Sequence, residues 1–500
     1  MASPSAVPDD QKTVYLSAFD QNQARVYVRI FLVFESDDPT AAVNNLKAGL
    51  KRLTSHIPYL QGYISAPKEP AARGRLAITW SPSTDKELSL PSMPASVGRS
   101  TPSGGFIMPS FKQLQDEHAP NHYFHDVFDE LLAARAADLG EPRPGNPVFL
   151  ACYSVIEGGV VLGLGAHHTV IDGTGQDELI RLWAQCTRGE VPDAATAPWG
   201  DEPVRRDEMF AAAVAGAAGP GELDVQGLLE RHPELTLKSQ ERGNLALGPG
   251  MPLGRARVFG FDGSKLEEAR AVLRASHGAS IEPWWLTLNN IICAILWTCI
   301  TRVRAARREG GLGAPTSKMG LAVNGRSRLG RVFAERPFLG NVNMAGTAEL
   351  PASVLERAGS APDDLSHLLP AIESIAVAIK RVTLTHISEM FSLYNQVPDV
   401  NAVWSTVNTV HGPDLSVTSW ANMGLYGYNF GPALKKPEFM RGADFSYDGL
   451  LCILPRKRLP PNQVGDPGVV ERIEVTTMLN VEDLAALEKD PGWTRWLLRG

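Results

Sequence analysis

The stretch GLGAHHTVIDGTG, residues 163–175, interrupts an apolar region with two adjacent histidines and an aspartate. His167 and His168 end the apolar run, and Asp172 directly precedes Gly173. The upstream segment PVFLACYSVIEGGVVLG is typical of two β-strands joined at a tight EGG turn. The downstream segment GQDELIRLWAQCTRG repeats apolar residues at helical spacing. We therefore predict a strand, a short loop that contains the histidines, and a helix.

The composition is that of an ordinary globular protein, with 44% hydrophobic and 21% charged residues. A formal net charge of -7 argues against nucleic acid or an anionic membrane surface as the partner. The longest apolar run, residues 284–300, contains two asparagines and is too short for a bilayer span, so we predict a buried helix. The five cysteines lack zinc-like spacing, and no signal peptide is visible. These features predict free thiols and a cytoplasmic protein.

Both halves of the chain mix predicted strands and helices. The first half opens with a strand near residues 26–34 and an amphipathic helix, and the second opens with a strand near Arg255. Between them, residues 191–250 are rich in proline, glycine and alanine, which predicts a crossover linker. Because 500 residues exceed what one core usually serves, we predict an α/β fold with domains at residues 1–190 and 251–500.

Two chemistries fit poorly with the histidine loop. A zinc site could use His168 and Asp172 on one helical face, but His167 in a continuing strand would point the other way. No third ligand follows, so we predict no metal. A serine hydrolase needs a nucleophile on a G-x-S-x-G elbow, and the sequence contains no such elbow.

Two interpretations of the loop stay open on the residues alone. A histidine at a strand end, in a loop opened by glycine, is well placed to take a proton from a bound hydroxyl or amine. Alternatively, His167 and His168 are hydrogen-bonded core residues, and Asp172 is the N-cap of the following helix.

The segment HHTVIDG resembles the HxxxDG motif of the BAHD acyltransferases and the HHxxxDG motif of the wider superfamily of CoA-dependent acyltransferases. Other segments match the family in the same order. They are YVRIFLVF, LTLNNIICAILWTCITRVR, VNGRSRLG, FLGNVN and VTSWANMGLYGYNFGPALKKP, the last of which resembles the tract that ends in DFGWGKP. These matches extend over most of both halves, and the long divergent loops resemble the fungal branch of O-acyltransferases.

The resemblance implies two chloramphenicol-acetyltransferase-like domains with a channel between them. It implies that His168 is the general base and that Asp172, beside Gly173, is structural and pairs with Arg326, with Arg328 as the second choice. Thr418 and Trp420 match the segment beside the acyl carbonyl, where a hydroxyl or indole N–H can bind the substrate or an oxyanion.

The resemblance also implies the reactants. An acyl-CoA, with acetyl-CoA as the commonest fungal donor, is the co-substrate, and no cofactor stays bound. The acceptor is a small-molecule secondary metabolite with a hydroxyl group, because an alcohol needs a base more than an amine does. The family further implies a monomer.

The second family motif departs from its pattern. The chain has Asn429, Phe430, Gly431, Pro432 and Ala433 where the pattern is DFGWG. Asparagine removes a charge, so a salt bridge at this position cannot form. The resemblance implies that this motif is structural, with Gly431 as its retained glycine, so the departure need not abolish activity.

Two rival functions share the fold. A condensation-type acyltransferase takes its acyl group from a carrier protein and also uses HHxxxDG, which makes His167 relevant, although no carrier-like segment is visible in the sequence. A non-catalytic binding protein is favoured by the altered NFGPA tract and disfavoured by the intact His168.

Overall fold

The computed structural model describes residues 11–66, 75–81, 88–100, 106–125, 130–131, 145–192, 202–217, 223–238, 254–278, 281–309, 311–334, 338–358, 364–410, 412–442, 447–463, 466 and 469–498. In chain order its strands are β1 (Lys12–Tyr15), β2 (Tyr27–Glu35), β3 (Tyr63–Ser65), β4 (Ala77–Trp80), β5 (Arg99–Ser100), β6 (Phe106–Ile107), β7 (Asn146–Pro147), β8 (Phe149–Ile156), β9 (Gly159–His167), β10 (Leu235–Leu237), β11 (Gly254–Asp262), β12 (Thr316–Asn324), β13 (Asn343–Pro351), β14 (Val403–Ser405), β15 (Leu415–Ser419), β16 (Phe439–Gly442), β17 (Leu450–Ile453) and β18 (Arg472–Asn480).

The α-helices alternate with these strands, so the predicted α/β class is confirmed. They are α1 (Ala18–Gln21), α2 (Pro39–His56), α3 (Phe111–Asp116), α4 (Gly173–Thr187), α5 (Glu202–Val214), α6 (Val225–Arg231), α7 (Gly263–His277), α8 (Leu288–Arg307), α9 (Arg331–Ala334), α10 (Ala352–Arg357), α11 (Leu369–Arg381), α12 (Leu384–Gln396), α13 (Val481–Leu487) and α14 (Pro491–Thr494).

One sheet ends in the histidine loop. Its strands are antiparallel in the order β16-β2-β9-β8, and the hairpin of β8 and β9 matches the sequence prediction. Every residue of β9 is buried, and Tyr27 lies opposite His167 at its end. The helices α2 and α4 pack against each other so closely that a Cβ on Gly49 would clash with Oγ1 of Thr187.

The second large sheet has six strands in the order β11-β18-β17-β15-β12-β13. β15 runs parallel to both of its neighbours, and the remaining pairs are antiparallel. The apolar run predicted as a buried helix, residues 284–300, is helical only from Leu288, where α8 begins after its N-cap Thr287, and α8 is buried along most of its length. Within the described residues, no helix is both long and apolar enough to cross a bilayer. All five cysteines are free and buried, as predicted.

The two halves of the sequence exchange elements in space. The strand β16 belongs to the second half of the chain but completes the sheet of the first half by pairing with β2. In return, α1 of the first half packs into the core of the second half, where Phe19 meets Phe210 edge to face at 4.8 Å. Residues 191–250 therefore separate two halves of the sequence, but each half contributes elements to the packed core of the other.

The predicted linker is largely built into the fold where the structure describes it. It forms α5, α6 and β10. Glu202, Arg206 and Phe210 recur every four residues along α5, and all of them are buried. This spacing places them on one helical face, a signal that the proline, glycine and alanine content of the region obscures.

Candidate active site

The loop after β9 is a tight turn that leads directly into α4. The backbone N–H of His168 donates to the carbonyl of Val26 at 2.8 Å, and the N–H of Val170 donates to the carbonyl of His167 at 2.9 Å. Asp172 is the N-cap of α4, and its Oδ1 accepts from the N–H of Gly175 at 2.8 Å. Asp172 therefore has the N-cap role that the structural interpretation of the loop predicts.

Asp172 also forms the ion pair that the family resemblance implies. Arg326 contacts its two carboxylate oxygens at 2.9 Å each, and the backbone N–H of Val342 donates to Oδ2 at 2.9 Å. Arg328 instead donates to the carbonyl of Asn324. Burial alone would raise the pKa of Asp172, but Arg326 and the N–H donors hold that pKa below its ordinary value. The carboxylate is thus ionised, engaged on both oxygens and held between the two halves.

A second buried ionic group contacts the backbone of the same loop. Arg206 pairs with Asp20 at 3.0 Å and with Glu202 at 2.8 Å, and all three are buried. The guanidinium of Arg206 also donates to the carbonyl of Val170 at 2.8 Å. Asp20 in turn accepts from the backbone and side chain of Asn341. The sequence gives little sign of this group, because Asp20 is 186 residues from Arg206 and the composition around α5 predicts a linker.

The two histidines have different surroundings. His167 is 2% exposed, its Nδ1 lies 2.8 Å from Oγ1 of Thr169, and its ring meets Tyr27 edge to face. Burial, assisted by charge at His168 and Arg25, lowers the pKa of His167 to about 3. His167 is therefore neutral at physiological pH and fits the structural interpretation.

His168 is more exposed than His167 and lies in the wall of a large cavity. Its Nδ1 is buried and has no hydrogen-bond partner among the described residues. The cavity encloses about 930 Å³ and is lined by both halves of the chain. Thr418 and Trp420, at the end of β15, line the same cavity. The cavity therefore brings together the residue that the resemblance assigns as the base and the two that it assigns to the acyl carbonyl.

Gly173 lets Trp420 approach the loop. A Cβ at Gly173 would lie 2.8 Å from the indole Nε1 of Trp420 and 3.0 Å from Cε of Met423. No side chain can occupy that space without moving the indole. The glycine of the HHxxxDG motif is thus required by close packing in the cavity wall.

The NFGPA tract lies elsewhere, and Asn429 and Gly431 are not among the described residues that line the cavity. Asn429 is exposed, and its Oδ1 accepts from the N–H of Gly431 at 2.9 Å. Its carbonyl accepts from Arg188, whose carboxylate partner is Glu190. Gly431 has φ +98°, a conformation that favours glycine, and Phe430 is buried. The tract is a turn that anchors one aromatic ring.

The two halves, the shared cavity and the HHxxxDG loop define this chain as a BAHD acyltransferase. The chain belongs to the Transferase family, whose model matches residues 125–493. A second model, the trichothecene 3-O-acetyltransferase-like N-terminal domain, matches residues 26–186.

Curated relatives and solved structures agree with this assignment. Trichothecene 8-O-acetyltransferase of Fusarium sporotrichioides is 31% identical over 97% of this chain and 98% of its own. The fold is similar to that of F. graminearum TRI101 complexed with coenzyme A and deoxynivalenol, with a TM-score of 0.73 at 18% identity, covering 97% and 99% of the chains. Vinorine synthase has the same fold with a TM-score of 0.54 at 16% identity, covering 97% and 94%.

Proposed function

We propose that this acyltransferase transfers an acetyl group from acetyl-CoA to a hydroxyl group of a small secondary metabolite, with His168 as the general base. The observation that carries the proposal is the position of His168 in a cavity built by both halves, with the Asp172–Arg326 pair fixing the loop beside it. His167 keeps a structural role, since its ring is buried and bonded to Thr169.

The reaction uses this geometry in two proton transfers. Because Nδ1 of His168 is buried, Nε2 takes the proton from the acceptor hydroxyl as the oxygen attacks the thioester carbonyl. The oxyanion accepts hydrogen bonds from the Trp420 indole or the Thr418 hydroxyl, a type of interaction worth about 3–4 kcal/mol per donor. The intermediate then collapses, the C–S bond breaks, and His168 returns the proton to the CoA sulfur. The products are the acetyl ester and free CoA.

The cavity wall supports an acceptor with an apolar skeleton. Leu321, Met344, Met390 and Val417 line it, so that a hydroxyl near His168 would be carried by an apolar framework. The similar proteins named for trichothecene and eremophilane O-acetylation make these compounds the first acceptors to test.

The test is acetyl-CoA turnover with a panel of trichothecene and eremophilane alcohols, followed by free-thiol detection and mass spectrometry of the ester. We expect acceptor-dependent CoA release that falls by at least about 10²–10⁴-fold in His168→Ala. The matched control is His367→Ala, because His367 is partly exposed and is not among the cavity-lining residues. Release that survives in His168→Ala would remove this residue from proton transfer.

Coenzyme A binding separates this proposal from its rivals. A thermal-shift titration with CoA is expected to raise the Tm of the wild type and of His168→Ala alike. A shift without turnover on any acceptor would favour a binding protein, and neither shift nor turnover would favour a carrier-dependent enzyme.

We also propose that the enzyme acts as a monomer in the cytoplasm. The free, buried cysteines support a reducing compartment. Size-exclusion chromatography with light scattering tests the monomer, and fractionation of the producing cells tests the compartment.

A further inference from the structure

A second cluster of chemically active side chains lies outside the acetylation site. His232 follows α6, Glu234 precedes β10, and His386 is in the first turn of α12. Their potential ligand atoms all lie within 4.8 Å of one another. Nδ1 of His232 is 3.1 Å from Oε1 of Glu234, and Nε2 of His386 is 3.8 Å from the same oxygen.

These separations suit a tetrahedral metal ion. Zinc binds histidine nitrogen and carboxylate oxygen at about 2.0–2.2 Å, which places two tetrahedral ligands roughly 3.4 Å apart. The observed 3.1 and 3.8 Å lie on either side of that value. Two histidines and one glutamate are also a ligand set that zinc uses with a fourth position left to water.

The surroundings of the histidine ring nitrogens also suit the binding of a metal ion. Nε2 of His386 is buried and has no hydrogen-bond partner among the described residues, although it points toward Glu234. Nε2 of His232 lies 2.9 Å from Oε2 of Glu389, and Arg231 contacts the other oxygen of that glutamate. A histidine that donates one N–H to a carboxylate while its other nitrogen faces a metal is the usual outer arrangement of zinc sites.

The cluster is accessible from the surface. Glu234 lines a separate cavity of about 480 Å³, which is open to solvent. Lys318, Glu349, Glu373 and Arg381 also line it, so carboxylates outnumber cations in its wall. A divalent cation can therefore reach Glu234, one of the three ligands, from the solvent.

We propose that His232, Glu234 and His386 bind one zinc ion, with Glu389 orienting His232. The ion would take the place of the contact between Nδ1 of His232 and Oε1 of Glu234 and would join the start of β10 to α12. Leu235 of β10 and Met390 of α12 both line the acetylation cavity, so the ion would stabilise one wall of the acceptor site.

The test is zinc titration of the full chain after chelation with EDTA, using calorimetry and metal analysis. We expect one zinc ion per chain and a higher Tm when zinc is added. Cobalt, as a spectroscopic probe, should give the absorption of a tetrahedral nitrogen and oxygen site without a thiolate band. An absence of tight zinc binding by the wild type would overturn the proposal on its own.

The variants locate the site. We expect His386→Gln to reduce zinc affinity at least about tenfold and Glu389→Gln to reduce it by about 10–100-fold. His367→Gln, a histidine substitution at a partly exposed position, should bind zinc like the wild type. If His386→Gln fails to fold without zinc, Glu234→Gln replaces it. Wild-type affinity in the folded ligand variant would refute the site.

Discussion

The HHxxxDG loop and the NFGPA tract are two motifs of one family, but they are held by different forces. Asp172 in the loop is 3% exposed and joins the two halves through Arg326. Asn429 in the tract is exposed, its side chain accepts from the backbone of its own turn, and its carbonyl accepts from Arg188. The loop is therefore fixed by buried charge, and the tract by a local hydrogen bond, the partly exposed Arg188 and one buried ring.

This difference explains why one motif is intact and the other is altered. Removing a charge from the loop leaves its buried partner uncompensated, which is costly in a low-dielectric environment. At the tract, Arg188 is partly exposed to solvent, and Glu190 already pairs with it. Exchanging aspartate and asparagine is therefore expected to have a large effect on stability at position 172 and a small one at position 429.

The largest effect is expected for Asp172→Asn. Arg326 would lose its carboxylate partner while buried, so the free energy of unfolding should fall by about 3–5 kcal/mol. Urea unfolding at neutral pH measures this change. The matched control is Glu190→Gln, which removes the carboxylate of a partly exposed pair and should cost about 0–1 kcal/mol. Equal costs for both variants would contradict the comparison.

The next effect concerns catalysis. Gly173→Ala should displace the Trp420 indole, because the new Cβ would lie 2.8 Å from its Nε1. A displacement on the order of 1 Å can cost about 10²-fold in rate, so kcat should fall by up to that factor while the fold persists. Gly427→Ala is the control, since a Cβ there has no neighbour within 4 Å among the described residues. An unchanged kcat in Gly173→Ala would remove Trp420 from the reaction.

Local features of this fold could be predicted from the sequence. The β8–β9 hairpin, the turn and α4 follow from periodicity and glycine placement, which act between near neighbours. The Asp172–Arg326 contact spans 154 residues and was expected only through the family resemblance. The residues alone could not specify it.

Other features could not be read from local pattern. Arg206 lies in a segment whose composition predicts a linker, and its partner Asp20 is 186 residues away. The candidate zinc ligands likewise join α12 to a turn more than 150 residues earlier, as the separation of 157 between His232 and Glu389 illustrates. Such groups form only when distant elements pack, so they leave no periodic signal.

The loop is also the more pH-sensitive region. His167 has an ordinary pKa of 6.5 that burial lowers to about 3, so only the unfolded chain binds its proton between these values. The contribution of neutral His167 to the free energy of unfolding is complete above pH 6.5. The free energy of unfolding should fall by up to about 1.4 kcal/mol per pH unit as the pH drops from 6.5 towards 3.

Urea unfolding at about pH 7, 6 and 5 measures this slope. His167→Gln should reduce it by up to about 1.4 kcal/mol per pH unit, since its proton linkage is lost. His367→Gln, at a partly exposed position, should leave it unchanged. An unaltered slope in His167→Gln would mean that this ring titrates normally in the folded protein.

The smallest effect is expected when the family aspartate is restored by Asn429→Asp. The new carboxylate would still accept from the N–H of Gly431, and it would lie near the partly exposed Arg188. An exposed ion pair contributes about 0–1 kcal/mol, and Glu190 already competes for the guanidinium, so stability and kcat/KM should stay close to those of the wild type. Gly431→Ala in the same turn should cost more, roughly 1–3 kcal/mol, because φ is +98° there. If Asn429→Asp instead tightened CoA binding strongly, the tract would act on the donor site, and the contrast between the two motifs would not hold.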